Sequence, residues 1–424
     1  MNFVQQVSRA VFWNYLTKIS SYGLDFLLSV LLARGLGKYG FGVYSELFNF
    51  IFLFTLICSF GMDSALNTFL PKYSNEPEKA SFLLRKIAIV LLLFSLIICL
   101  GIVAFSNRLG MIVHNSQIPY LLRIAVLYIF IYNFIIVAQS ILISYYRTKF
   151  IFLTNTLVKI VTLVCFYLLL RLKFGLTELI YGYITISFIA LIIYLRSLKE
   201  YVRIQPTSCE LKPVIKFGFA AWLTKYVNYL MSRYLDIFLL GYFLVPKEAI
   251  GYYNIAFTLT MGLSYVISSG FSGVSLAAFS KLAKQNNFSG ISRGWLTINK
   301  LTLLFSVPVF LFAIYYAKPL IDVLYSAAYL PTVKLFQVFG VFFLLSITIG
   351  SGLNSTVLYS IQKEQLVLYL RVLVGLLNLI LDLLLIPRYQ AMGAILATGL
   401  SVVLIIALEF SVVKKKFKFS YPCL

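Results

Sequence analysis

The chain has a single histidine, His114, and five scattered cysteines, Cys58, Cys99, Cys165, Cys209 and Cys423. No two cysteines stand at a metal-ligand or redox spacing. These shortages exclude a zinc centre and a histidine-based catalytic triad. Charge is scarce too. Asp, Glu, Lys and Arg make up 12% of residues, where soluble domains average about 25%. Acids are scarcest, 14 against 36 bases. No stretch fits the phosphate-loop spacing G-x-x-x-x-G-K-[ST], so ATP-driven transport by this chain alone is not expected. The longest polar stretch, about Arg196 to Lys216, is linker-sized and houses no catalytic or nucleotide-binding domain.

What is abundant is apolar. Hydrophobic residues make up 61% and the mean hydropathy is +0.93. An all-α, multi-pass integral membrane protein is expected. Apolar windows of about 20 residues place twelve spans near 11–33, 42–68, 82–106, 119–143, 150–170, 176–195, 214–244, 250–279, 294–317, 331–358, 366–386 and 392–413. The first is too long for a cleaved leader and reads as a retained span. With the N-terminus inside, twenty Lys and Arg fall on inner segments and eight on outer ones. The outer eight are Arg34, Lys38, Arg108, Arg171, Lys173, Lys247, Lys318 and Arg388. This bias places both termini in the cytoplasm. It also accounts for the net charge of +22, so no nucleic-acid partner is expected.

The chain repeats itself. Leu16-Thr17-Lys18 returns as Leu223-Thr224-Lys225 after 207 residues. Lys38, Gly42 and Tyr44 return as Lys247, Gly251 and Tyr253 after 209. Arg123 matches Lys334, and Lys159 matches Arg371, at offsets of 211 and 212. Six is an even number of spans, so both halves enter the membrane in the same direction. The expected architecture is two six-helix bundles, related by a parallel pseudo-twofold repeat around a central cleft. The expected boundaries are 1–195 for the N-terminal bundle, 196–213 for a cytoplasmic linker, 214–413 for the C-terminal bundle and 414–424 for a basic cytoplasmic tail.

Charges inside the spans carry the chemistry. The cations are Lys18, Arg123, Lys159, Lys225, Arg233, Lys300, Lys334 and Arg371. Facing lipid, eight such groups would cost on the order of 20 kcal/mol, so most must be sheltered by protein or a water-filled cavity. Arg123, Lys334 and Lys300 lie near span ends and can snorkel. Lys18 and Asp25 are two turns apart on one helical face. Arg233 and Asp236 are one turn apart and can pair. Further acids within or at the edge of spans are Glu46, Asp63, Asp382 and Glu409. An excess of intramembrane cations suits an anionic ligand, phosphate or pyrophosphate above all. Ser268 to Gly273 reads as a close-packing or hinge element.

Four motifs point to a family. They are Ala33-Arg34-Gly35-Leu36-Gly37 with Gly40-Phe41-Gly42-Val43-Tyr44; Gly61-Met62-Asp63 with Pro71-Lys72-Tyr73; Pro319-Leu320-Ile321 with Leu324-Tyr325; and Ile386-Pro387-Arg388-Tyr389 with Gly393-Ala394-Ile395. In this order and spacing the chain resembles the polysaccharide-transporter family of lipid-linked oligosaccharide flippases, the Wzx-type O-antigen and capsule-unit translocases. That family shares a superfamily with multidrug and toxin extruders and lipid II flippases. Gln390 stands where the family usually has a glycine.

The resemblance implies a non-enzymatic carrier of the bacterial inner membrane, free of cofactors and metals. It would move an undecaprenyl-pyrophosphate-linked oligosaccharide outward by alternating access. Lys18, Lys225 and Arg233 would hold the pyrophosphate, with Lys159 and Arg371 assisting. Asp25 and Asp236 would couple transport to H+ or Na+. Membrane lipids and polysaccharide assembly proteins are the further partners it suggests, and a monomer is expected. An ion-coupled multidrug and toxin exporter shares the fold, but its cationic cargo conflicts with the cationic spans. A membrane glycosyltransferase or O-unit polymerase would need larger or more acidic outer loops; the outer acids are Glu178, Glu248 and Asp322.

Overall fold

A computed structural model describes residues 3–73, 75–202, 207–230 and 232–417. The side chains of 3–7, 202, 266–274, 277 and 416–417 lie outside the described residues. So do linker positions 203–206, tail positions 418–424 and the side chains of the Ser268–Gly273 run.

The described chain is helical. Its helices are α1 (Phe3–Ser59), α2 (Met62–Phe69), α3 (Pro77–Ile112), α4 (Ile118–Ser144), α5 (Thr148–Arg171), α6 (Leu176–Val202), α7 (Lys212–Tyr229), α8 (Arg233–Tyr242), α9 (Lys247–Lys284), α10 (Phe288–Tyr315), α11 (Ala317–Tyr325), α12 (Thr332–Thr348), α13 (Leu353–Ser360), α14 (Glu364–Tyr389) and α15 (Ala391–Phe417). Among the described residues, nine helical stretches are long and apolar enough to cross a membrane. The first, Ser8–Ser59, has 52 residues. At 1.5 Å per residue it exceeds twice the hydrocarbon thickness of about 30 Å, so it has room for the first two expected spans. The expected spans at 214–244 and 250–279 fall on α7 with α8 and on α9, which are not among the nine.

Local chemistry explains several boundaries. Pro77 opens α3, where its missing N–H is no loss. Asn287 caps α10, its side chain accepting from the Gly290 N–H at 2.8 Å. The break expected between the spans 11–33 and 42–68 collapses to one residue. Only Gly37 leaves helical geometry, at φ 70° and ψ 174°, a region open essentially to glycine. Gly35 serves packing instead: a Cβ there would lie 2.5 Å from Leu170, so its bare backbone lets α5 close onto α1.

The chain packs as two compact units, Met1–Tyr226 and Val227–Leu424. Unit 1 is built on Met62, Leu66, Leu83, Leu91, Leu142 and Tyr194. Asn133 ties three of its helices, donating to Ser95 Oγ at 2.7 Å and to the Cys58 carbonyl at 3.4 Å. Most of α7 belongs here, although its residues fall in the expected C-terminal bundle. Gly61 and Gly218 meet backbone to backbone, where a Cβ on Gly61 would sit 2.0 Å from the Gly218 oxygen. Trp222 then donates to the Leu56 carbonyl at 3.1 Å. On α3 the buried Leu84, Ile87, Leu91, Ser95, Cys99 and Ile102 recur at helical spacing, and Leu93, Ile97 and Leu100 are exposed. Such an outward apolar face fits a bilayer rather than water.

Unit 2 has its own core, with Phe279, Ile291, Trp295, Val357 and Val413 buried together. Trp295 donates to Asn354 Oδ1 at 3.0 Å and stacks on Phe410.

Candidate functional site

In unit 1, two lysines are held by acids from other helices. Lys159 of α5 meets Asp25 of α1 at 2.5 Å. Ser20 and Thr156, at 3.2 Å, join the same two helices about one turn away. Asp25 therefore faces α5 rather than Lys18, which is exposed and meets no acid among the described residues. Lys225 of α7 bonds both oxygens of Asp63 in α2, each at 2.7 Å. This second pair is the more sheltered. Its acid is 16% exposed, against 59% for Asp25.

In unit 2 the expected site cations are Arg233 and Arg371, and the acids Asp236, Asp382 and Glu409 are buried. Arg233 does not pair with Asp236. Its guanidinium donates to Asn254 Oδ1 at 3.3 Å and Thr258 Oγ1 at 3.1 Å, and it lies over the rings of Tyr234 and Phe257. The reason is directional, because Asp236 points into the bundle. Asp236 Oδ2 accepts from the Tyr253 hydroxyl and, at 2.6 Å, from the Thr398 hydroxyl. Arg371 of α14 donates to Asn228 Oδ1 at 3.4 Å.

Asp236 has a companion. Asp382, also fully buried, is its electrostatic neighbour. Asn378, one turn before Asp382, donates to Asp382 Oδ2 at 2.9 Å. Three buried oxygens, Asp236 Oδ1, Asp382 Oδ1 and Asn378 Oδ1, find no donor. Two neighbouring buried carboxylates repel each other when both are charged, and a buried bare charge is costly. The cluster is thus chemically suited to a proton or to a small cation that prefers oxygen ligands. Among the described residues no group of three or more His, Cys, Asp and Glu is suited to a metal ion.

The structure brings Asp25 and Lys159 together. It gives Lys225, Arg233 and Asp236 partners outside the expected set. Asp63 and Asp382 are the principal additions. Asp63 was visible in Gly61-Met62-Asp63, and Asp382 as a mid-span acid one turn after Asn378. Tyr253 stood out only as the repeat's match to Tyr44, and Thr398 carries no signal of its own, being a hydroxyl residue in an apolar helix.

Comparison with known proteins follows the same lines. Residues 31–334 match the family described as polysaccharide biosynthesis protein. An uncharacterized membrane protein of Methanocaldococcus jannaschii is 22% identical, over 94% of this chain and 82% of its own. Among solved structures, an inward-facing multidrug resistance MATE family transporter of the MOP superfamily superposes with a TM-score of 0.79 at 14% identity, covering 96% of this chain and 98% of that one. The lipid II flippase MurJ, in an inward closed conformation, gives 0.74 at 20% identity, covering 96% and 89%. A MOP superfamily transporter from Pyrococcus furiosus gives 0.61 at 14% identity, covering 97% and 95%. At the level of family, the resemblance carried by the glycine-rich and proline motifs is borne out. This multi-pass membrane chain, with the fold of the MATE and MOP transporters, belongs to the polysaccharide biosynthesis protein family.

Proposed function

We propose that the protein is a flippase for a lipid-linked oligosaccharide of the undecaprenyl-pyrophosphate type, working by alternating access in the bacterial inner membrane. Both termini are then cytoplasmic, as the twenty-to-eight bias of Lys and Arg favours. Twelve spans in two six-helix bundles and a monomeric carrier belong to the same proposal. One observation supports it most. Cations embedded in apolar helices are held by polar partners of the bundle, as Lys225 is by Asp63, Lys159 by Asp25 and Arg233 by Asn254 and Thr258. Such groups offer fixed positive charge to a pyrophosphate. Lys225, Lys159 and Lys18 are the candidates in unit 1, and Arg233 and Arg371 those in unit 2.

Coupling is assigned to acids. Asp236, with Asp382, is suited to taking a proton or Na+, since its oxygens are buried and incompletely bonded. Asp25 is the second candidate, exposed enough to exchange with water. Polysaccharide assembly proteins remain the expected partners.

Complementation in a strain lacking its own O-unit flippase tests this, with surface polymer scored at matched protein levels. Restored polymer, abolished by Lys225→Ala and Lys159→Ala, is the expected result. Restored polymer with both variants fully active would remove the site assignment. New resistance to cationic dyes without polymer would turn the reading toward a drug exporter.

A further inference from the structure

Lys159, a pyrophosphate candidate above, has a polar network one turn away on its own helix. Asn155 stands four residues before it on α5, so the two side chains share a face with their Cβ atoms about 6 Å apart. Asn155 Oδ1 accepts from Gln139 Nε2 of α4 at 2.9 Å and from the Tyr194 hydroxyl of α6 at 2.8 Å. Gln139 Nε2 also donates to Tyr194 Oη at 3.3 Å. Three helices of unit 1 thus hold two amides side by side.

The network leaves two groups unspent. Among the described residues, nothing bonds Gln139 Oε1 or Asn155 Nδ2. Both residues are half-buried, and neither atom is closed off from solvent. They offer one acceptor and one donor next to each other. A sealed amide atom without a partner would be costly, so both open onto space that water or a ligand can reach. An aromatic ring belongs to the same place. Tyr132 lies two turns before Gln139 on one face of α4. It is an electrostatic neighbour of Tyr194. Its ring is stacked on Tyr128, with centroids 5.4 Å apart, yet Tyr132 is 38% exposed.

This set of groups matches one class of ligand. A sugar carries neighbouring hydroxyls that each donate and accept. Its ring has an apolar face that suits an aromatic side chain. Joined to a diphosphate, it also brings the anion for a lysine one turn away. A bare lipid diphosphate would leave the amides unused. An organic cation would find Asp25 already held by Lys159.

We propose that Gln139, Asn155 and Tyr132 read the first sugar of the cargo, the one joined to the pyrophosphate, next to the phosphate held by Lys159. The assignment rests on the flippase reading above and makes unit 1 selective for the sugar as well as for the lipid diphosphate.

The test uses the full chain in phosphatidylcholine nanodiscs. It measures affinity for undecaprenyl diphosphate, either bare or carrying a single N-acetylglucosamine or galactose. At least one sugar-bearing probe should bind about fivefold or more tighter than the bare one, the worth of a hydrogen bond. That preference should vanish in Asn155→Leu and Gln139→Leu, which remove the unspent amide groups, and in Tyr132→Leu, which removes the ring. Lys159→Ala should weaken binding of all three probes and keep the preference. If an amide variant fails to fold, Tyr132→Leu decides, since its ring is exposed. Equal binding of bare and sugar-bearing probes by the wild type overturns the subsite, as does a preference that every folded variant of the three retains. The two readings fail separately. Polymer restored by a wild type without sugar preference leaves the flippase standing without this subsite. A preference lost in the variants, without restored polymer, leaves the subsite standing without the flippase.

Discussion

At the scale of single residues, the most consequential feature is that Lys159 and Lys225, the two lysines of unit 1 paired inside apolar helices, each have their acid on another helix. Removing Lys225 leaves the sheltered Asp63 without its partner. Lys225→Ala is therefore expected to lower stability by about 1–3 kcal/mol, and Lys225→Ala/Asp63→Ala to recover part of that loss. Thermal unfolding of the purified variants in detergent measures both. Equal destabilisation by the single and double variants would mean that the pair contributes nothing specific. In unit 2, Asp382→Asn removes a carboxylate without changing shape. We expect the folded protein to persist and polymer export to fall at least tenfold, together with any Na+-dependent rise in melting temperature. A variant with wild-type export would remove Asp382 from coupling.

At the scale of elements, backbone geometry makes the strongest predictions. Gly61 has φ 67° and no room for a Cβ against Gly218. Gly61→Ala should therefore destabilise by about 2 kcal/mol or more, whereas Gly23→Ala, in open space within α1, should stabilise by about 0.5–1 kcal/mol. Gln390 sits at φ 51° and ψ −130° where α14 ends. The sequence departs there from the family's glycine, and the backbone has kept a conformation that glycine favours. Gln390→Gly should raise the melting temperature, relieving strain of about 1–3 kcal/mol; an unchanged value would show the strain to be absent. Helix positions were readable from the sequence because apolar runs of membrane length have few alternatives. The extent of α1 was not, since a run of four glycines predicts a turn and only Gly37 breaks the helix. Partner choice was also hidden. Spacing says that Arg233 can reach Asp236, but only packing reveals that Asp236 points at Tyr253, Thr398 and Asp382.

At the scale of the whole molecule, the uneven distribution of positive charge predicts orientation. A fluorescent protein fused after Lys415 should glow, and alkaline phosphatase inserted near Gly175 should be active. The reverse pattern would invert every inner and outer assignment. The ion pairs have a consequence at this scale too. Lys225–Asp63 fastens α7 to α2, and Lys159–Asp25 fastens α5 to α1. An anion that takes either lysine must compete with the carboxylate already there. Loading the carrier then unfastens a seam between helices, so cargo and rigidity exclude each other in unit 1, and the loaded bundle is the one freer to change shape.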